Sequence, residues 1–98
     1  MRLPIDDMVP ESVKADLRWT IQRLADDKAK VRIIRIHFED FKNIMDRLVS
    51  QNPYMPFMPT LLGVPVDIGT AEQVEVVAVR DDDTNTGINL EGKQTWQL

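Results

Sequence analysis

The 98-residue chain has no cysteine. That excludes disulfides and thiolate zinc sites, and nothing points to secretion. Histidine occurs once, at position 37, which is too few for a histidine-based metal site. The four glycines are scattered, so there is no glycine-rich phosphate loop. Long apolar runs are also missing. None approaches the roughly 20 residues of a membrane span, and the N-terminal "MRLPIDDMVPES" has no apolar core of a signal peptide. Basic residues are outnumbered, 12 Lys and Arg against 16 Asp and Glu, for a net charge of -4. This argues against general binding to a nucleic-acid backbone, which needs clustered cations. No internal repeat is visible. The expectation is one soluble α+β domain spanning 1–98, large enough to fold alone but with a small core that oligomerisation would help.

What is present is periodicity. Residues 1–9 read as an arm holding Pro4. Pro10 suits a first helical turn, with Glu11 favourably near the helix N-terminus. From there to about Lys28, Val13, Leu17, Ile21 and Leu24 fall on one helical stripe. "KVRIIRIHF" (30–38) is β-branched and too short for a helix of its own. As a strand it places Ile34, Ile36 and Phe38 on a core face with Arg32, and Val31, Ile33, Arg35 and His37 on the other. "EDFKNIMDRLVSQN" (39–52) is a second amphipathic helix through Phe41, Ile44, Met45 and Leu48, ended by Asn52 before Pro53. "TLLGVPVDI" reads as a strand with Leu62, Val64, Val66 and Ile68 on one face. Pro65, which lacks a donor, places it at a sheet edge or a bulge. "VEVVAVR" (74–80) is a strand expected to form a hairpin with it. Residues 81–93 read as an acidic polar loop, and "KQTWQL" has the pattern of one more short strand. The order α-β-α-β-β predicts two helices packed on a three- to four-stranded sheet.

Several residues invite chemistry. An EF-hand-like calcium loop starting at Asp81 would find oxygens at Asp83 and Asn85. Gly87 and Glu91 are each one place out and no helix follows, so a solvated loop is the expectation. His37 beside Arg35 on a strand, with Arg32 and Lys30 near, could bind a phosphate or carboxylate. As a general base His37 lacks a nucleophile in a suitable context, and it stands where the second helix begins, so local hydrogen bonding to that helix end is the plain alternative. Trp19 is nearly opposite the apolar stripe of its helix, beside Ala15. A wet tryptophan on a polar helix face points to an interface, most simply a symmetric homo-oligomer. "NPYMPFMP" has PxxP spacing twice, but leads directly into a strand. Tyr54, Phe57 and Met58 are better placed to cap a core edge or a neighbouring subunit than to form a polyproline ligand.

With these elements placed, "VRIIRIHFEDFKNIMDRLVS", "TLLGVPVDI" and "VEVVAV" together resemble a module of tailed-bacteriophage structural proteins, notably the major capsid family. There a strand ends in His-Pro-Glu-Asp or a similar helix start, an amphipathic helix carrying an aromatic follows, and an "lGxPV" strand and acidic turn come next. "HFEDF" (His37 to Phe41) and "LLGVPV" (Leu61 to Val66) match that rhythm, with Phe38 where proline is usual. The resemblance covers about half the chain. A capsid subunit is several times longer, with an arm and a hinged loop that this sequence lacks. It therefore implies a small phage or prophage protein built on a related unit, in which the Gly63 and Pro65 of that motif are structural.

The reading is a non-enzymatic protein without cofactors that acts by self-association and binding, as a virion accessory or assembly component. The alternative is an anti-defence protein that inhibits a host protein or sequesters an anionic nucleotide through Arg35, His37 and Arg32. A small hydrolase is a third class with less behind it. The setting is a host cytoplasm or a virion.

Overall fold

The computed structural model describes residues 2–53, 57–69 and 74–97, with the backbone alone for Trp96 and Gln97. The elements are β1 (Arg2–Pro4), a 3-10 turn (Asp6–Met8), α1 (Glu11–Asp26), β2 (Lys30–His37), α2 (Phe38–Gln51), β3 (Met58–Leu61), β4 (Val64–Gly69), β5 (Glu75–Val79), β6 (Asn85–Asn89) and β7 (Gln94–Gln97). The α+β class is as expected, but the sheet has seven strands, in the order β1-β3-β4-β2-β5-β6-β7. β2 and β4 are parallel neighbours and β1 runs parallel to β3; the other pairings are antiparallel.

The two helices form because their apolar residues recur every three or four places, and both pack on one face of the sheet. α1 lies over β2 and β5, and α2 over β2 and β4. Leu17 and Leu24 of α1, Leu48 of α2 and Ile34, Ile36, Val66, Val76 and Ala78 of the sheet make one buried cluster. Val13 and Ile21 pack at its margin, and Thr20, the one polar member of the α1 stripe, is buried with its hydroxyl donating to the Asp16 carbonyl at 2.9 Å. α1 ends in a Schellman motif. The Ala29 amide donates to the Leu24 carbonyl (2.8 Å) and the Lys28 amide to that of Ala25 (3.0 Å), with Lys28 at φ +61°. α2 ends at Gln51, capped by Asn52, whose amide and side-chain nitrogen both donate to the Leu48 carbonyl.

Five expectations need correcting. The first nine residues are no free arm: β1 pairs with β3, the Ile5 amide donates to the Thr60 carbonyl at 2.8 Å, and Ile5 is 1% exposed. "TLLGVPVDI" is two strands. Leu62 (φ +52°) and Gly63 (φ +78°) form the two-residue turn of a hairpin, with positive φ at both places as a type I′ turn requires. β4 does not form a hairpin with β5, because β2 lies between them. Nor is β4 an edge. Pro65 pairs with Thr60 on β3, one residue before β4 begins its register with β2 at Val66, so its missing donor is not called on there. Finally, the stretch 81–93 is not all loop. Thr86 and Ile88 alternate inward on β6, although Asn and Gly disfavour strands.

β2 also departs from simple alternation. A bulge at Arg32 separates the pairs Val31↔Ala78 and Ile33↔Val77. Ala78 and Val76 share a face, and Val76 pairs with Ile34. Val31 therefore joins Ile34 on the helix side, where it packs against the core. Phe38, expected on the core face of the strand, instead opens α2 and is 51% exposed.

Candidate functional site

The outer flank of α1 carries the sharpest surface feature. A step of ~100° per residue turns Trp19 away from the buried stripe, and its side chain is 55% exposed. Arg23, one turn on, lies over the indole with its guanidinium carbon 5.3 Å from the ring centroid, a cation–π contact. The β6–β7 turn closes in from the other side. Asn89 holds that turn: its side-chain oxygen accepts from the amides of Glu91 (3.0 Å) and Lys93 (2.9 Å), and its carbonyl from Gly92 (3.0 Å). Gly92 has φ +83°, and a Cβ there would stand 3.0 Å from Arg23 Nη1 and 3.7 Å from Trp19 Cζ3. Glycine thus serves both the turn and the close approach to α1.

Trp19, Thr20, Arg23, Leu24, Ile88 and Gln94 line a shallow groove between α1 and the β6–β7 hairpin. The helix layer lies over β2, β4 and β5, so this part of the sheet is only flanked by α1. A tryptophan side chain spans some 150–250 Å², so half-exposure leaves on the order of 100 Å² wet; covering it would contribute about 2–3 kcal/mol. Ala15 is exposed one turn before Trp19. Phe57 and Met58, also expected at an interface, are not gathered here. Phe57 is half-buried against the core and Met58 is 47% exposed on β3, on the far side of the sheet from β6 and β7. Tyr54 lies outside the described residues. Sequence reasoning missed the exposure of Phe38, Val49 and Ile68, each about half-exposed. Ile68 continues the alternation of buried Val66, but near the end of β4 it is 49% exposed.

The expected anion residues divide. Arg35 and His37 share the sheet face opposite the helices. Arg35 Nη1 lies 3.9 Å from the nearly buried carboxylate of Glu75, which also accepts from the Thr95 hydroxyl at 2.8 Å. Its charge is thus engaged in balancing a buried anion. His37 occupies the cap position of α2 without a side-chain capping bond, and its ring packs against Phe38 at 4.8 Å and 45°. Glu39 and Asp40 follow immediately, where they already complement the positive helix end. Arg32 sits apart in the bulge. With Lys28, Lys30 and Arg80 it borders a hollow that Asp81 and Asp83 also line.

The acid-rich turn is a tight hairpin end. The Asp83 amide donates to the Arg80 carbonyl and the Arg80 amide to that of Thr84, both at 2.9 Å. Hydrogen bonding from Thr84 holds the Asp82 carboxyl below its ordinary pKa. Among the described residues no group of three or more His, Asp or Glu side chains could hold a metal ion, and no helix is long and apolar enough to cross a membrane. Set against known proteins, the chain matches no family model, no curated protein and no solved structure.

Proposed function

We propose that this chain is a small non-enzymatic protein that acts by self-association and binding, through the flank of α1. One observation carries the reading: Trp19 packs against Arg23 and lies beside the Gly92 turn, yet more than half of it faces solvent. A surface tryptophan packed on one side and wet on the other has the character of an interface anchor. Phage or prophage origin, as a virion accessory or assembly component, rests on the strand–helix–"LLGVPV" rhythm. In the fold those residues make one packed piece, β2–α2 with the β3–β4 hairpin.

Light scattering at tens of micromolar tests self-association. The expected mass exceeds the 11.3 kDa of one chain and falls towards it in Trp19→Ser. A wild-type monomer at that concentration refutes the reading.

The sheet face that Arg35 and His37 share favours a second reading, an anti-defence protein that captures a host protein or an anionic nucleotide. A thermal-shift screen with mono-, di- and cyclic nucleotides addresses the nucleotide arm. It requires a stabilisation that Arg35→Ala abolishes.

A further inference from the structure

A different surface lies where the two helices begin. α1 leads into the start of β2 through a short turn and α2 leaves its end directly, so both helix N-termini stand at the C-terminal end of β2. Between them runs an apolar groove. Ile36 forms its floor, Val9 and Val13 one wall, Ile44 the other, and Met8 and Val74 also line it. These apolar side chains come from four segments of the fold.

The chain segments that line it are acidic: residues 6–11 and 36–44 contain Asp6, Asp7, Glu11, Glu39 and Asp40, with Lys42 the one Lys or Arg, and Asp6 accepts from the Leu62 amide at 3.3 Å. Lys42 lies about 200° around α2 from Asp40 but one turn on from Glu39, as an i, i+3 neighbour, and Asp40 is the charged residue that lines the groove. Glu11 is already paired, with Lys14 at 3.1 Å and Arg18 at 2.9 Å. Asp7, Glu39 and Asp40 are exposed, and among the described residues none of them makes an ion pair. Phe38 and Ile68, each about half-exposed, stand at the same end of the β2–β4 pair.

We infer that this groove takes a basic amphipathic segment of another protein, its apolar residues over Ile36 and its Lys or Arg side chains against Asp7, Glu39 and Asp40. Charge selects the occupant. A second copy docked groove to groove would bring the same carboxylates face to face, whereas a basic helix meets an apolar trough with anions beside it. This surface is separate from the Trp19 flank, and it gives the binding reading a partner chemistry.

Two fluorescein-labelled synthetic helices of about four turns test it, one with a leucine stripe flanked by Lys and one with the same stripe flanked by Glu. Fluorescence anisotropy is read against the wild-type protein, a Glu39→Gln/Asp40→Asn variant and a control, Asp82→Asn/Glu91→Gln, that loses the same charge on the distant hairpins. Circular dichroism checks that each variant is folded. The Lys peptide should bind saturably and the Glu peptide should not. Neutralising Glu39 and Asp40 should weaken binding roughly tenfold, the scale of two exposed charge pairs, while the control changes it less than twofold.

Equal binding of the two peptides overturns the inference, as does equal weakening in both variants. If the Lys peptide lowers the mass of a self-associated species as it saturates, the groove belongs to a second copy and the inference also fails. The first two outcomes do not involve Trp19 and leave self-association to its own test, whereas the third would move self-association from the Trp19 flank to this groove.

Discussion

Lys28 is a lysine in a position made for glycine. It follows the last turn of α1 at φ +61°, with its amide and that of Ala29 donating back to Ala25 and Leu24. An L-residue in that region carries a steric cost of about 1 kcal/mol that glycine does not. Glycine gives some of this back through a freer unfolded chain, so Lys28→Gly should stabilise by about 0.5–1 kcal/mol. For a domain of this length that is a rise in Tm of about 2–8 °C. Charge works the other way, because a cation near a helix C-terminus stabilises by roughly 0.3–1 kcal/mol. Lys28→Ala supplies the correction, since it removes the charge and keeps the strained backbone. The decisive quantity is the gap between the two variants in thermal melts near neutral pH, expected at about 0.5–1 kcal/mol in favour of glycine. If Lys28→Gly melts no higher than Lys28→Ala, the backbone at 28 is not strained and the reasoning is wrong.

Gly69 tests the close approach of β4 and β2. A methyl group there would sit 3.1 Å from Arg35 Cβ and 3.2 Å from the Ile36 carbonyl oxygen. Gly69→Ala should therefore cost about 1–3 kcal/mol, seen as a lower urea midpoint at constant slope; an unchanged midpoint would contradict the tight register. Glu11 tests pH dependence. Hydrogen bonds from Arg18 and then Lys14 lower its pKa below the ordinary 4.5. Its contribution to stability is therefore complete above that ordinary value and is lost as pH falls through the lowered one. The stability gap between wild type and Glu11→Gln should close on going from neutral pH to about pH 3, and shrink at about 1 M salt. A gap that does not change with pH would mean that the ion pairs are not its source.

The sequence shows the helices plainly because their faces are written in a local period. Val13, Leu17, Ile21 and Leu24 meet without help from distant residues, and the same arithmetic turns Trp19 outward. The sheet is harder to read because pairing is not local. Nothing in "LLGVPV" marks Leu62 as a turn residue, since a leucine at positive φ is unusual. Nothing in "VRIIRIHF" marks Arg32 as the extra residue of a bulge, which shifts Val31 to the other face. β4 and β5 look like a hairpin because they are neighbours in sequence, yet β2 pairs with both. The apolar groove was out of reach for the same reason. Val13, Ile36 and Ile44 each look like ordinary core residues of separate elements, and only the packed helices leave a trough between them.

The pairing of β1 with β3 sets an order of events. β5, β6 and β7 form an antiparallel meander whose strands meet their sequence neighbours. That is a low-contact-order unit able to form early. β1 instead waits for a partner 56 residues away, since Arg2 pairs with Met58. Its neighbour Ile5, buried to 1% exposure, cannot find its seat until the β3–β4 hairpin exists. On a ribosome β1 would thus emerge well before the partner that it needs, and would settle later than the strands made after it. Until then Leu3 and Ile5 stay open to solvent, so the seating of Ile5 reports on the β3–β4 hairpin as much as on its own segment.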